Sequence, residues 1–198
     1  MKSITLGIQQ WSYFSQEKQL DFNGLFLTVN DHCILVDPPP MEAADRTAIL
    51  KGHTVDYILL TNRDHVREAE ACRRDFKAKV YAPEADAPLM EIPIDKTYKD
   101  GELLPGGLLV IHLTNMKSPG ESALFLDMGK GYLILGDALI GRQAGQLNLL
   151  PADRFADVAK AKESLKRLLK YNFDTVLAGD GTSILTGAKE AVRRAIES

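Results

Sequence analysis

The chain has 198 residues, of which 45% are hydrophobic and 26% are charged, values typical of a globular protein with one core, and we expect a single domain over residues 1–198. The net charge of −3, without a long basic block, argues against nucleic acid or an anionic membrane as the main partner. No apolar run approaches the roughly 20 residues that span a bilayer, and the N-terminus lacks the apolar core of a signal peptide, so we expect a cytoplasmic protein. Cys33 and Cys72 lie in apolar segments, and we expect reduced packing residues.

The N-terminal segment predicts short strands. Residues 4–14 mix β-forming and polar residues and indicate one or two strands. Residues 22–29 and 33–36, separated by the turn Asn30-Asp31, are typical of a β-hairpin. Three prolines then end the strand, and a short helix is predicted over residues 42–51.

The next segment combines a buried strand with a polar turn. Residues 55–60 form a short apolar run, and apolar residues from Val66 to Phe76 then recur at helical spacing. The turn between them carries Asn62, Asp64, His65 and Arg67. Strand, polar turn and helix is the arrangement in which α/β proteins place site residues.

The remainder predicts a second sheet and further helices. Strands are predicted over residues 78–81, 108–113, 122–126, 132–135, 147–150 and 173–177. The predicted helices are a brief one beginning at Pro83, a long one from Pro151 through Leu168, and a last one over residues 188–196 with Thr186 as N-cap. This order predicts an α/β (α+β) fold of the αββα four-layer sandwich type, with two mixed β-sheets packed face to face and helices outside.

Five short motifs, which follow one another along the chain as in the metallo-β-lactamase-fold superfamily, resemble the motifs of that superfamily. Its members carry Thr-His-x-His-x-Asp-His after a strand, then Gly-His-Thr-Pro-Gly, Gly-Asp and Gly-His-Gly. This chain has Thr61-Asn-Arg-Asp-His-Val-Arg67, Met116-Lys-Ser-Pro-Gly120, Gly136-Asp137 and Gly179-Asp-Gly181, and an early strand that ends in Asp37. The resemblance spans roughly residues 22–182 and implies the αββα fold.

The resemblance also shows which metal ligands of the superfamily are replaced here. Superfamily hydrolases usually bind two metal ions that generate a hydroxide nucleophile. In this chain Asn62 and Asp64 replace the first two histidines, Val66-Arg67 replaces the Asp-His pair, Lys117 replaces the loop histidine, and Asp180 replaces the last histidine. Asp137, the usual bridging carboxylate, is retained, and His65 occupies a position that the motif leaves free.

These replacements predict an ion-pair cluster. Lysine and arginine have no lone pair to donate to a cation. If the fold holds, Lys117 lies beside Asp64 and Asp137, and Arg67 lies beside Asp137 and Asp180. We therefore expect no metal cofactor. The alternative is a divalent metal, Mn²⁺, Mg²⁺ or Zn²⁺, at Asp64, Asp137 and Asp180, an oxygen-rich set that suits Mg²⁺ or Mn²⁺ better than Zn²⁺.

Three functions remain open on the sequence. The first is a metal-free protein that binds a small polar or anionic molecule through Asn62, Arg67, Lys117 and Asp180. The second is a divergent hydrolase of ester, thioester or related bonds, with catalytic Asp137, His65 and Asp64. The third is a structural or oligomer-forming protein with a vestigial cleft; a homo-oligomer is compatible with all three. For Asp64 and His65 we slightly favour a role without chemistry, in which Asp64 caps the following helix and His65 is solvated.

Overall fold

Two mixed β-sheets make up the centre of the computed structural model, which describes residues 1–198. The seven-stranded sheet contains β1 Lys2–Thr5, β2 Ile8–Ser15, β3 Leu20–Val29, β4 His32–Val36, β5 Tyr57–Leu59, β6 Lys79–Pro83 and β7 Lys96–Tyr98, in that order. The five-stranded sheet contains β8 Leu103–Leu104, β9 Leu108–His112, β10 Ser122–Leu126, β11 Tyr132–Leu135 and β12 Thr175–Ala178. The α-helices are α1 Ala43–Gly52, α2 Ala69–Phe76, α3 Val158–Leu165 and α4 Ala188–Glu197.

Strand direction divides each sheet into two parts. Strands β1 to β4 are antiparallel meanders, whereas β4 to β7 run parallel to one another. In the second sheet β8 to β11 are antiparallel and β11 pairs parallel with β12. The parallel pairs β4–β5 and β11–β12 matter most for the site, because the carboxyl ends of parallel strands meet at one edge of a sheet.

Apolar residues on both faces of the strands produce the four layers. In and after β5, Leu59 faces the apolar cluster between the two sheets, while Ile58 and Leu60 face the cluster under α1 and α2. The cluster between the sheets combines residues of both, such as Val36 with Ile134. A third cluster packs the outer face of the second sheet against α3 and α4. The predicted αββα sandwich is therefore confirmed.

Several predicted boundaries are wrong. Residues 147–150 form no strand, and only an isolated bridge joins Asn148 to Ile140. The helix predicted from Pro151 begins as a 3-10 turn, Ala152–Arg154, and α3 starts only at Val158, where Asp157 accepts a hydrogen bond from the Lys160 amide. Pro83 ends a strand instead of opening a helix.

Two further corrections concern short elements. Gly187, not Thr186, precedes α4, and no side chain caps that helix. The short strands β7 and β8 were not predicted, because three and two residues are too few to show a period. Both cysteines are free: Cys72 is buried under the first sheet and Cys33 is partly exposed. None of the helices combines the length and apolar character that crossing a bilayer requires.

Candidate functional site

Four acidic side chains gather where parallel strands of both sheets end. The register Val36↔Leu59 places Asp37, which follows β4, beside the turn that follows β5. The register Leu135↔Ala178 likewise brings Asp137 next to Asp180, since each lies two residues beyond its strand. The site is thus a consequence of parallel pairing, and its carboxylates come from distant parts of the sequence.

Asp37 holds the turn after β5 and orients His65. Its Oδ1 accepts a hydrogen bond from the Thr61 amide at 2.8 Å, and its Oδ2 accepts one from the Thr61 hydroxyl at 2.6 Å. The same Oδ2 lies 2.8 Å from Nδ1 of His65. Asp37 and His65 are each 2% exposed, so this is a buried pair shielded from water. With Nδ1 held by Asp37, Nε2 of His65 faces Asp137 and Asp180.

Two glycines allow the strand ends to approach this turn. A Cβ atom on Gly136 would lie 2.3 Å from Oγ1 of Thr61 and 2.6 Å from Nδ2 of Asn62. A Cβ atom on Gly179 would lie 2.7 Å from Cε1 of His65. All three distances are shorter than van der Waals contact, so the Gly-Asp pairs of the sequence reflect close packing against the turn.

Lys117 lies between two carboxylates of the site, Asp64 and Asp137. Its Nζ lies 2.7 Å from Oδ2 of Asp137 and 2.9 Å from Oδ2 of Asp64. Asp137 is 5% exposed, whereas the Lys117 side chain is only partly buried. Burial by itself opposes the charge on Lys117, but Asp137 and Asp64 outweigh it and raise the pKa of the ammonium group.

Arg67 pairs with the carboxylate of Asp180, on the opposite side of the site from Lys117. Its Nη2 forms an ion pair with Oδ1 of Asp180, and the guanidinium stacks 4.6 Å from the centroid of the Phe22 ring. Nη1 donates to the carbonyl oxygens of Asn23 and Asp37, at 3.1 Å and 3.3 Å. The side chain of Arg67 is 7% exposed, so this charge is bound within the protein and scarcely offered to solvent.

The backbone at two of these residues is strained. Asp37 has φ of +47° and Arg67 has φ of +43°, in the left-handed region that residues other than glycine rarely adopt. Such conformations persist where surrounding contacts determine them, and both residues are held by several hydrogen bonds.

The protonation of His65 follows from its neighbours. Its Nε2 lies 3.5 Å from Asp137 Oδ1, 4.0 Å from Asp180 Oδ1 and 3.2 Å from Nη2 of Arg67. Burial and the charge of Arg67 oppose protonation, but Asp37 and Asp137 prevail and raise the pKa of His65 to about 10. Burial would raise the pKa of Asp137, but His65 and Lys117 hold it well below its usual range. At neutral pH the imidazolium and the carboxylate therefore keep their charges.

Buried polar residues behind the floor position the loops. Asp86 is fully buried and accepts hydrogen bonds from the Arg63 amide at 2.9 Å, the Gly120 amide at 2.8 Å and the Ser118 hydroxyl. These bonds connect the two loops that carry Asp64 and Lys117. Glu121, also fully buried, accepts from the Ala138 amide at 3.1 Å. Burial and the nearby Asp137 raise the pKa of Glu121 well above its usual range.

The resulting cleft has a volume of about 450 Å³. Its floor is the charged cluster of Asp64, His65, Arg67, Lys117, Asp137 and Asp180. One wall is apolar, with Leu20, Phe22, Ile140 and Leu150. The lining is completed by Pro151 and by three cations, Lys18, Arg142 and Arg154. A volume of this size suits a small organic molecule.

The donor set does not fit a di-zinc centre. The candidate ligand atoms of His65, Asp137 and Asp180 lie within 4.8 Å of one another. However, Zn²⁺ favours imidazole or thiolate ligands, and the single imidazole here has Nδ1 on Asp37 and Nε2 beside Arg67. Arg67 and Lys117 are bonded to the two carboxylates of this triad. A metal ion would have to displace both cations.

The structure brings together most of the predicted site residues. Asp64, His65, Arg67, Lys117, Asp137 and Asp180 all line the cleft. Asn62 does not line it: this side chain is fully buried, and its Oδ1 accepts hydrogen bonds from the amides of Asp64 and His65. Asn62 therefore caps the turn, and the expectation that Asp64 is the cap and His65 is solvated is wrong, because Asp64 faces Lys117 and His65 is buried.

Sequence reasoning did not single out several residues around the cleft. The sequence marks Asp37 as the end of an apolar strand, and an acidic residue close behind an apolar strand is also the signal that marks Asp137. Asp86 and Glu121 carry no local signal, since their burial depends on long-range packing. Arg142 and Arg154 lie in irregular segments where a charged residue is ordinarily solvated.

Comparisons with known proteins agree with this architecture. A metallo-β-lactamase from Pontibacter korlensis has a TM-score of 0.77 at 18% identity, with 100% of this chain and 98% of that chain covered. The DIM-1 metallo-β-lactamase has a TM-score of 0.78 at 17% identity, covering 99% and 95%. A metallo-β-lactamase from Hirschia baltica has a TM-score of 0.74 at 14% identity, also covering 99% and 95%. No curated protein sequence matches the chain significantly.

These structural likenesses establish the fold and leave the reaction open, because the identities are low. The sequence model of the metallo-beta-lactamase superfamily matches residues 1–198, the whole of the chain. The chain therefore belongs to the metallo-β-lactamase superfamily.

Proposed function

We propose that this domain is a metal-free member of the superfamily whose cleft binds a small polar or anionic molecule. The observation that carries the proposal is the position of the two cations. Lys117 Nζ bridges Asp64 and Asp137, and Arg67 is paired with Asp180, where the superfamily's hydrolases use metal ligands. Side chains therefore supply the positive charge that the buried carboxylates require.

The protonation states support binding over acid–base chemistry. A general acid or base works best with a pKa near the operating pH. The pKa of His65 is about 10 and that of Lys117 is raised, so neither group is poised to exchange a proton at neutral pH. The charged residues of the floor act mainly as a rigid, hydrogen-bonding surface.

A divergent hydrolase is the second candidate, and one observation favours it. His65, Asp137 and Asp180 present donor atoms within 4.8 Å of one another, a separation that a single metal ion could bridge. The third candidate, an oligomer-forming protein, would call for an apolar patch on the outer helices. Of the large exposed hydrophobic residues, only Leu50 lies in an α-helix, so this candidate gains no support.

Elemental analysis separates the first two candidates. Protein purified without chelator or affinity metal would be analysed directly, and again after equilibration with Zn²⁺ or Mn²⁺ and desalting. We expect far less than one metal ion per chain in every sample. One or two ions per chain that Asp137→Ala removes would overturn the proposal, and esterase or thioesterase activity lost in the same variant would support the hydrolase instead.

The binding function is tested by a thermal-shift screen with small polar and anionic metabolites. We expect at least one compound to raise the Tm of the wild-type protein and to lose this effect in Phe22→Ala, which shortens the apolar wall. Tyr13→Ala is a matched control, because Tyr13 pairs with Phe22 across β2 and β3 but does not line the cleft. A screen without any stabilising compound would contradict a ligand-binding function.

A further inference from the structure

The cations on the floor of the cleft are already bonded to carboxylates, which limits what they offer a ligand. Asp64, Asp137 and Asp180 face Lys117, Arg67 and the imidazolium of His65, so that three acidic groups meet three cations. Asp37 adds a fourth carboxylate behind His65. An anion placed on this floor would have to compete with Asp137 or Asp180, and it would meet a surface without excess positive charge.

The cations at the mouth of the cleft are different. Arg142 and Arg154 line the cleft and are exposed, and their guanidinium groups form no hydrogen bond or ion pair. Lys18, on the turn between β2 and β3, adds a third cation, whose only partner is the adjacent, exposed Glu17. Arg142 lies in the loop after β11, and Arg154 ends a 3-10 turn, so the three side chains come from separate segments.

An apolar wall lines the same cleft as these free cations and the paired floor. Phe22, Ile140 and Leu150 line the same cleft, and Ile140 is only 2% exposed. An apolar surface next to unpaired arginines suits a molecule with two parts, a hydrophobic body and a terminal oxyanion. Arginine's planar guanidinium matches the oxygen geometry of phosphate and carboxylate groups.

We propose that the cleft recognises a small molecule whose apolar body packs on the partly exposed Phe22 and Leu150 and whose terminal phosphate or carboxylate is bound by Arg142 and Arg154. This inference rests on the proposed ligand-binding function and assigns anion recognition to the mouth of the cleft. Lys117 and Arg67, which the sequence pointed to as the anion-binding residues, instead hold the floor together.

Fluorescence titration with four probes tests the assignment: 2-naphthyl phosphate, 2-naphthoate, 2-naphthol and inorganic phosphate. We expect at least one naphthyl anion to bind about tenfold more tightly than 2-naphthol, since a hydrogen bond to a charged group contributes roughly one such factor. The stronger of the two anions identifies the oxyanion. Inorganic phosphate, without an apolar body, should bind weakly, and salt should weaken the binding of the naphthyl anion.

The double variant Arg142→Gln/Arg154→Gln should lower the affinity for the naphthyl anion about tenfold and leave that for 2-naphthol unchanged. Arg74→Gln is the matched control, because Arg74 is also exposed and unpaired but does not line the cleft. Circular dichroism and Tm confirm that the variants fold. Equal effects of the double variant and the control would overturn the inference, as would failure of both naphthyl anions to bind.

The two proposals fail in different ways. Tight binding of 2-naphthol with no effect of the arginine variants would overturn the anion assignment while leaving the cleft a ligand site. Stoichiometric metal that depends on Asp137, by contrast, would overturn the metal-free function whatever the arginines do.

Discussion

Lys117 and Asp137 form an ion pair of 2.7 Å between a partly buried ammonium group and a carboxylate that is 5% exposed. By the motif resemblance, Asp137 corresponds to the superfamily's metal-bridging carboxylate and Lys117 to one of its metal ligands. The lysine thus brings its own positive charge to the carboxylate. In the metal-free function proposed above, this pairing supplies the charge that lets Asp137 remain ionised although it is buried.

Removing Lys117 should test whether its ammonium group takes the place of a metal ion. Lys117→Ala leaves Asp137 and Asp64 without their ammonium partner, and we expect the free energy of unfolding to fall by about 2–3 kcal/mol. Mn²⁺ at millimolar concentration should then raise the Tm of the variant and have little effect on wild type, since a ligand stabilises only the state that binds it. Thermal scans with and without Mn²⁺ measure both effects.

Lys130→Ala is the control for this experiment, because Lys130 is 81% exposed and its ion pair with Asp174 is long, at 3.9 Å. An equal Mn²⁺ shift in wild-type protein, Lys117→Ala and Lys130→Ala would contradict the interpretation of Lys117 as the resident cation.

Asp37 should be the most important polar residue for stability. Asp37→Asn keeps the size and the tolerance for positive φ, but it removes the charge that faces His65 and weakens the bonds to Thr61. We expect the free energy of unfolding to fall by about 3 kcal/mol, measured by urea denaturation. Asp127→Asn, at an exposed position without an ion pair, should stay within about 0.5 kcal/mol of wild type. Similar midpoints for the two variants would show that the buried pair contributes little.

Gly136 should not tolerate a methyl group. In Gly136→Ala the new Cβ would lie 2.3 Å from Oγ1 of Thr61, and relief of this clash must move the turn that carries the site. We expect a loss of about 1–3 kcal/mol in the free energy of unfolding. Gly52→Ala is the control, since a Cβ at Gly52 meets no atom within 4 Å. Equal stability of the two alanine variants, measured in urea, would refute the close packing at Gly136.

The two thiols should differ in reactivity. Burial raises the pKa of Cys72 to about 11, and the residue is fully buried. Cys33 is partly exposed, although burial also raises its pKa. At neutral pH a disulfide reagent should therefore modify Cys33 slowly and Cys72 only after unfolding. Counting released thiolate in native and denatured protein tests this, and rapid modification of two thiols in the native state would contradict the packing of Cys72.

Acid stability should depend on Asp95. Burial opposes its charge, but the hydrogen bonds from Arg73 and the Val80 amide, together with the charge of Arg73, outweigh it and lower the pKa of this carboxyl. Because the folded pKa lies below the unfolded value of about 3.9, the ionised carboxylate stabilises the fold above that value, and the contribution disappears as the pH falls through the folded pKa. The stability difference between wild type and Asp95→Asn should therefore shrink as the pH is lowered from neutral to below the folded pKa. A difference that stays constant with pH would contradict this role.

The sequence predicted the sandwich well because its strands are marked locally. The strands ending before Asp37, Asp137 and Asp180 each show an apolar run closed by a polar residue, and all three exist. Errors occurred where local signals compete. Pro151 is typical of the first position of a helix, yet α3 begins later, after its N-cap residue Asp157.

The sequence by itself determined most of the strands, the family and the charged residues that follow the strand ends. Only the tertiary structure decided that His65 is paired with Asp37, that Asn62 turns inward, and that Arg142 and Arg154 reach the cleft. The reason is physical: strand periodicity is a short-range property that neighbouring residues encode, whereas pairing of charges depends on which strand ends the sheet register brings together.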